Sequence, residues 1–205
     1  MERLSCKMYK QVEMMELIHT SIPGVEIIRP RVFKDSRGCF FESFSQKEFD
    51  ALVRPVVFVQ DNQSVSSYGV VRGLHFQKGD ASQGKLVRVV DGRVLDIAVD
   101  IRLGSPTFGR HVAVELSGEN CLQLFIPRGF AHGFSVLSER AVFQYKCDRY
   151  YAPGKEGALA WDDPDLGIDW RIPAEDVILS AKDSAHPLLK DCDCLFDYSQ
   201  DLYSE

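Results

Sequence analysis

Apolar and polar residues alternate with a period of two along much of this chain. Over 93–102, Leu95, Ile97, Val99 and Ile101 alternate with Val94, Asp96, Ala98 and Asp100, the pattern of a strand with one face turned to a core. Over 110–116, Val112, Val114 and Leu116 oppose His111, Ala113 and Glu115, and a turn at Ser117-Gly-Glu-Asn120 leads to a further strand over 121–127. Over 141–147, Ala141, Phe143, Tyr145 and Cys147 share one face. Asp91-Gly92 separates the apolar runs 85–90 and 93–102 and predicts a β-hairpin, because a type I′ turn needs a positive φ at both central positions. A helical pattern is confined to 46–52 and parts of the ends. Short strands between Gly- and Pro-bearing turns predict an all-β fold, a sandwich or barrel of the jelly-roll kind. Beyond Pro153 the pattern loosens into an arm, about residues 154–205, expected to wrap the barrel.

Length and charge narrow the picture. The 205 residues fit one domain over 15–205, with 1–14 read as a tail because Met14 and Met15 are alternative starts. A net charge of −6 argues against binding nucleic acid through a general basic surface, yet leaves room for a few cations around one small anion. No apolar run reaches the roughly 18 residues of a membrane span, and charges interrupt the first 20 residues where a secretory signal would be apolar. A cytoplasmic protein without a membrane partner is expected. None of the six cysteines forms a CxxC pair, so reduced thiols read better than a disulfide scaffold.

The candidate chemistry lies in two segments. Pro127-Arg-Gly-Phe-Ala-His132-Gly-Phe134 matches the second cupin signature, in which a tight turn throws a His into the mouth of the barrel. A metal-binding cupin also needs two His and a Glu from an earlier strand pair, where Gly73-Leu-His75-Phe-Gln77 offers a single His. That set is incomplete for a transition metal, and no metal is expected.

A longer ordered series sharpens this. It runs through Asp35-Ser-Arg37-Gly-Cys-Phe-Phe-Glu42, Phe58-Val-Gln60-Asp-Asn62, Val71-Arg72-Gly-Leu-His75, Gln83-Gly-Lys85 and the His132 segment. It ends with Phe143-Gln-Tyr145-Lys, Tyr150-Tyr-Ala-Pro, a stretch from Trp161 to Trp170, and Ser180-Ala-Lys-Asp183. In this series the chain resembles the dTDP-4-dehydrorhamnose 3,5-epimerases, a metal-free branch of the cupins, over about residues 15–190. The resemblance implies a cupin jelly roll, a homodimer in which each N-terminal strand helps its neighbour, no cofactor, and a dTDP-4-keto-6-deoxyhexose substrate inverted at C3 and C5. The product of such an enzyme feeds deoxysugar synthesis, most often of L-rhamnose.

Both inverted carbons adjoin the C4 ketone. Each inversion needs a base on one face of the ring, an acid on the other and a cation or hydrogen-bond donor at the enolate oxygen. By the same resemblance His75 is the base, Asp183 its dyad partner, Tyr145 the acid and Lys85 the enolate stabiliser. Arg37 and Arg72 are implied for the nucleotide or sugar, Glu42, Gln60, Asn62 and His132 for the pocket, and Tyr150 for stacking on thymine. Cys39 departs from the pattern, in which many relatives carry Phe. Strict alternation sets Arg72 and His75 on opposite faces, so a shared site requires a bulge, a mouth edge or a partner subunit. His19, His111 and His186 carry no expected role. A single-carbon epimerase, an epimerase for another nucleotide sugar and a non-catalytic sugar-binding cupin are the rival readings.

Overall fold

The structure, a computed structural model, describes residues 15–204; the expected tail over 1–14 lies outside the described residues. Strands β1 (Met15–His19) and β2 (Glu26–Pro30) are followed by a small hairpin of β3 (Phe33–Asp35) and β4 (Gly38–Phe40). Next come helix α1 (Gln46–Leu52), β5 (Gln60–Ser67), β6 (Val71–Gln77), β7 (Lys85–Asp91), β8 (Arg93–Asp100) and β9 (Arg102–Leu103). The series ends with β10 (His111–Ser117), β11 (Gln123–Ile126), β12 (Phe130–Val136), β13 (Arg140–Cys147), β14 (Glu156–Ala158) and β15 (Phe196–Asp197). They build a six-stranded sheet, ordered β1-β2-β11-β7-β13-β5, against a five-stranded sheet, ordered β10-β8-β12-β6-β14. This is a jelly-roll sandwich.

Three apolar clusters explain the near-continuous burial of the central strands. Val87, Val89, Val94, Ala98, Leu124, Phe134 and Phe143 fill the space between the sheets. Leu95, Ile97, Val99 and Ile101 instead face outward, beneath Leu159, Leu166, Trp170, Leu189 and Phe196 of the C-terminal arm. Thus β8 is buried on both faces, and the face expected to turn away from the core, with Asp96 on it, looks into the barrel. Outside the six-stranded sheet, α1 covers Leu86 and Phe125. Ser45 caps that helix by accepting from the Glu48 amide, and its Phe49 is fully buried edge-on to Phe125 and Phe58.

The hairpin expected at Asp91-Gly92 does not form. β7 pairs with β11 and β13, whereas β8 pairs with β10 and β12, so the dipeptide carries the chain from one sheet to the other. Gly92 sits at φ +80, and a Cβ there would lie 2.0 Å from the Arg140 carbonyl oxygen. Gly92 supplies the expected positive φ but Asp91 does not, so no type I′ turn forms, and the strands on either side are each covered on both faces. Each therefore takes two neighbours within its own sheet. Hydrophobic alternation reports which residues share a face, and it is silent on which strand lies alongside.

Candidate active site

The sandwich opens into a cavity of about 570 Å³ whose lining includes Arg72, His75, Lys85, His132, Tyr145 and Asp183. Arg72 and His75 on β6 and His132 on β12 come from the five-stranded sheet, while Lys85 on β7 and Tyr145 on β13 come from the six-stranded sheet. Imidazoles and a phenol therefore enter one space from opposing walls.

A bulge resolves the facing of Arg72 and His75. His132 lies opposite His75 and Phe134 opposite Arg72, so three steps on β6 match two on β12. The extra residue brings both side chains to the same cavity. Gly73 makes this possible: its φ is +138, and an added Cβ would come within 2.5 Å of Gly133 Cα. Arg72 Nε donates to Ser66 Oγ at 3.1 Å.

His75 Nε2 lies 2.5 Å from Asp183 Oδ1. If Nε2–H donates to the carboxylate, the lone pair resides on Nδ1. Ser180 Oγ donates to Asp183 Oδ2 at 2.8 Å and accepts from the Asp183 amide at 3.1 Å, fixing the carboxylate. Burial pushes the Asp183 carboxyl up, but the Ser180 and His75 hydrogen bonds outweigh it and hold the group below its usual range. Burial moves the His75 imidazole the other way, below its ordinary value, against the pull of Asp183. A neutral ring beside an ionised carboxylate is a base whose protonated form is already provided for.

On the facing wall, burial raises the Tyr145 phenol above its ordinary value, opposed by Arg72, so it keeps its proton at neutral pH. Burial also lowers Lys85, while Cys147 and Asp96 favour its charged form. The second imidazole, His132, lies 3.1 Å from Asp96 Oδ2 in the barrel interior. The direct burial of this pair drives His132 down and Asp96 up, each toward its neutral form.

The other expected residues lie off this cavity. Arg37 is on the exposed β3–β4 hairpin, paired to Asp35 at 2.5 Å, and Glu42 follows in the segment leading to α1. Ser64 of β5 lines the cavity, whereas Gln60 and Asn62 precede it on the same strand, outside the lining. Gln60 Nε2 donates to Asn62 Oδ1 at 3.0 Å, and Gln60 Oε1 accepts from the Tyr151 amide. Tyr150 is 70% exposed and stacks on no ring among the described residues, while its neighbour Tyr151 reaches the cavity. Within the chain, then, these five positions do not converge with the rest.

Three participants were given no role from the sequence: Asp96, Ser180 and His186. His186 Nε2 stands 3.5 Å from Asp183 Oδ1. For Asp96 a signal exists, since a carboxylate amid apolar neighbours on an inward-facing strand needs a partner. For Ser180 and His186 only the fold supplies one.

A sandwich that aims a dyad-supported imidazole and a protonated phenol into one cavity belongs to the class of jelly-roll proton-transfer enzymes. The family model described as dTDP-4-dehydrorhamnose 3,5-epimerase matches residues 19–191, and the chain belongs to that family of isomerases. It is 56% identical over 180 residues to the dTDP-4-dehydrorhamnose 3,5-epimerase of Salmonella typhimurium, covering 86% of this chain and 96% of that protein. It is 52% identical over 182 residues to the enzyme of that name from Pseudomonas aeruginosa, covering 88% and 99%. The crystal structure of dTDP-6-deoxy-D-glucose-3,5-epimerase from Legionella pneumophila, in complex with dTDP-4-keto-L-rhamnose, superimposes with a TM-score of 0.87 at 51% identity. The match covers 91% of this chain and all of that one. Among the described residues no helix is long and apolar enough to cross a membrane.

Proposed function

We propose that this protein inverts C3 and C5 of dTDP-4-dehydro-6-deoxy-D-glucose, giving dTDP-4-dehydro-L-rhamnose. The observation that carries the reading is the entry of His75 and Tyr145 into one cavity from opposite sheets. Relatives more than half identical carry this activity in their names, and the Legionella complex holds a keto sugar of this kind.

In the proposed mechanism His75 takes the proton alpha to the C4 ketone, and Asp183 stabilises the imidazolium that forms. The electron pair moves onto the C4 oxygen, where Lys85 balances the enolate charge. Tyr145 then gives a proton to the opposite face of the carbon, inverting it. The same sequence at the second carbon completes the reaction, with solvent restoring both side chains. No redox step occurs, so the chemistry calls for no cofactor. Arg72 offers a guanidinium to the sugar or diphosphate, and His132 shapes the wall behind the ring.

We further propose that the protein works as a cytoplasmic homodimer. Arg37 and Glu42 then serve the neighbouring subunit's cavity, and Gln60, Asn62 and Tyr150 line an extended nucleotide groove. Support comes from the β3–β4 hairpin, which exposes Phe33 and Phe40 beside Arg37. The reaction is tested by incubating chelator-treated protein with dTDP-4-keto-6-deoxyglucose, the downstream reductase and NADPH. Reductant consumption dependent on this protein is expected; its absence would overturn the reading.

A further inference from the structure

His75, Asp183 and His186 each present an atom of metal-ligating type, and the three atoms lie within 4.8 Å of one another. The two imidazoles approach the same carboxylate oxygen: Asp183 Oδ1 is 2.5 Å from His75 Nε2 and 3.5 Å from His186 Nε2. Their rings are nearly perpendicular, with centroids 5.7 Å apart. His186 Nε2 is buried and makes no hydrogen bond among the described residues, an unusual state for a polar atom away from water. Ser180 occupies Asp183 Oδ2, which leaves Oδ1 to both histidines. The Asp183 and His186 side chains are 7% and 12% exposed, against 42% for His75, so the cluster is walled on the side of the arm and open toward the cavity.

We propose that these three side chains form an inhibitory site for Zn2+. Two imidazoles and one carboxylate suit this ion, and the cavity leaves the fourth tetrahedral position to water. Mg2+ and Ca2+, which favour oxygen ligands, match the set poorly. Zinc takes the place of the proton between His75 Nε2 and Asp183 Oδ1, and the neutral ring carries its proton on Nδ1 instead. A tetrahedral site with bonds near 2 Å sets its ligand atoms about 3.3 Å apart. The His186–Asp183 separation already fits and the His75–Asp183 contact need open by less than an ångström, while the two imidazole nitrogens, within 4.8 Å of each other, must draw together. This ligand set differs from the strand-borne histidines of a metal-binding cupin, because the C-terminal arm supplies two of its three members. Zinc held there occupies the proposed base and its partner, so binding and inhibition go together; only the inhibition rests on the proposed reaction.

The test titrates chelator-treated protein with Zn2+ by calorimetry and with Co2+ by visible absorption. It compares the wild type, His186→Gln and the double variant Cys192→Ser/Cys194→Ser. The last is included because the Cys192 and Cys194 thiols, with Sγ atoms 3.5 Å apart, line the same cavity. One Zn2+ per chain and tetrahedral cobalt bands are expected for the wild type. His186→Gln should weaken zinc by more than about tenfold, while the double serine variant should bind as the wild type does. In the coupled assay the zinc concentration for half-inhibition should rise in His186→Gln by the same factor, and chelator should restore activity. No binding, equal binding by His186→Gln, loss of binding in the serine variant, or bound zinc without inhibition would each overturn the proposal. Because the titration reads binding alone, a protein that binds zinc yet turns over no keto sugar would count against the reaction and not the site.

Discussion

Two histidine–aspartate pairs sit side by side in this sandwich, and their differences are instructive. His75 and His132 face each other across β6 and β12, and both rings border the same cavity. The His132–Asp96 pair is closed off, with side chains 8% and 0% exposed, and burial drives both members toward neutrality. The His75–Asp183 pair keeps an ionised carboxylate, because Ser180 and His75 compensate for the burial of Asp183, and its ring stays open to the cavity. On the proposed mechanism, the same two side-chain types make a reactive couple where the ring is open to the cavity and a bracing couple where it is almost fully buried. Charge separation after proton uptake is accordingly expected to cost less in the first.

Substitution should separate the two pairs most widely at His75. His75→Asn is expected to lower kcat/KM by about 10²–10⁴-fold while leaving the melting temperature near that of the wild type, measured by coupled kinetics and calorimetry. His132→Asn should do the reverse. Loss of a buried hydrogen-bonded partner beside Asp96, whose Oδ1 already lacks one, should cost about 1–3 kcal/mol in denaturant unfolding, with a smaller kinetic loss than at His75. If the two variants exchanged these phenotypes, the assignment of base and brace would be inverted.

A smaller effect lies in the pH profile. Because the folded protein holds the His75 imidazole below its ordinary value of 6.5, the neutral base is present above that lowered value and is lost as pH falls through it. The acid limb of kcat/KM should therefore have its midpoint below 6.5. A midpoint above that value would mean that Asp183 outweighs burial and that the ring is charged at rest.

Much of the framework was legible in the chain. The Ser45–Glu48 capping pair and the buried Phe49 bounded α1 where periodicity placed it, and the shared face of Ala141, Phe143, Tyr145 and Cys147 pointed correctly into the barrel. Facing is a local property set by the two-residue repeat. Pairing is not local, and the Asp91-Gly92 crossover shows how a turn-prone dipeptide can join strands of two different sheets. The site followed the same division. His75, Lys85, Arg72, Tyr145 and His132 are strand residues whose direction the pattern constrains, apart from the bulge at Gly73. Asp183, Ser180 and His186 arrive on an irregular arm more than a hundred residues after His75; the Ser180–Asp183 motif could point to Asp183 only through family resemblance, and periodicity had no access to the other two. Arg37, Glu42 and Tyr150 match motif positions, but in a single chain they lie away from the cavity that holds His75 and Tyr145.

On the proposed mechanism, proton removal and proton return use different walls of the cavity. It is tested most directly by following the C3 and C5 positions of dTDP-4-keto-6-deoxyglucose by NMR in deuterated water with Tyr145→Phe. With His75 intact and the opposing phenol gone, deuterium should enter the sugar with retained configuration, while inversion falls well below the wild-type rate. Undiminished inversion in this variant would contradict the account, because the proton would then be returning from a group other than Tyr145.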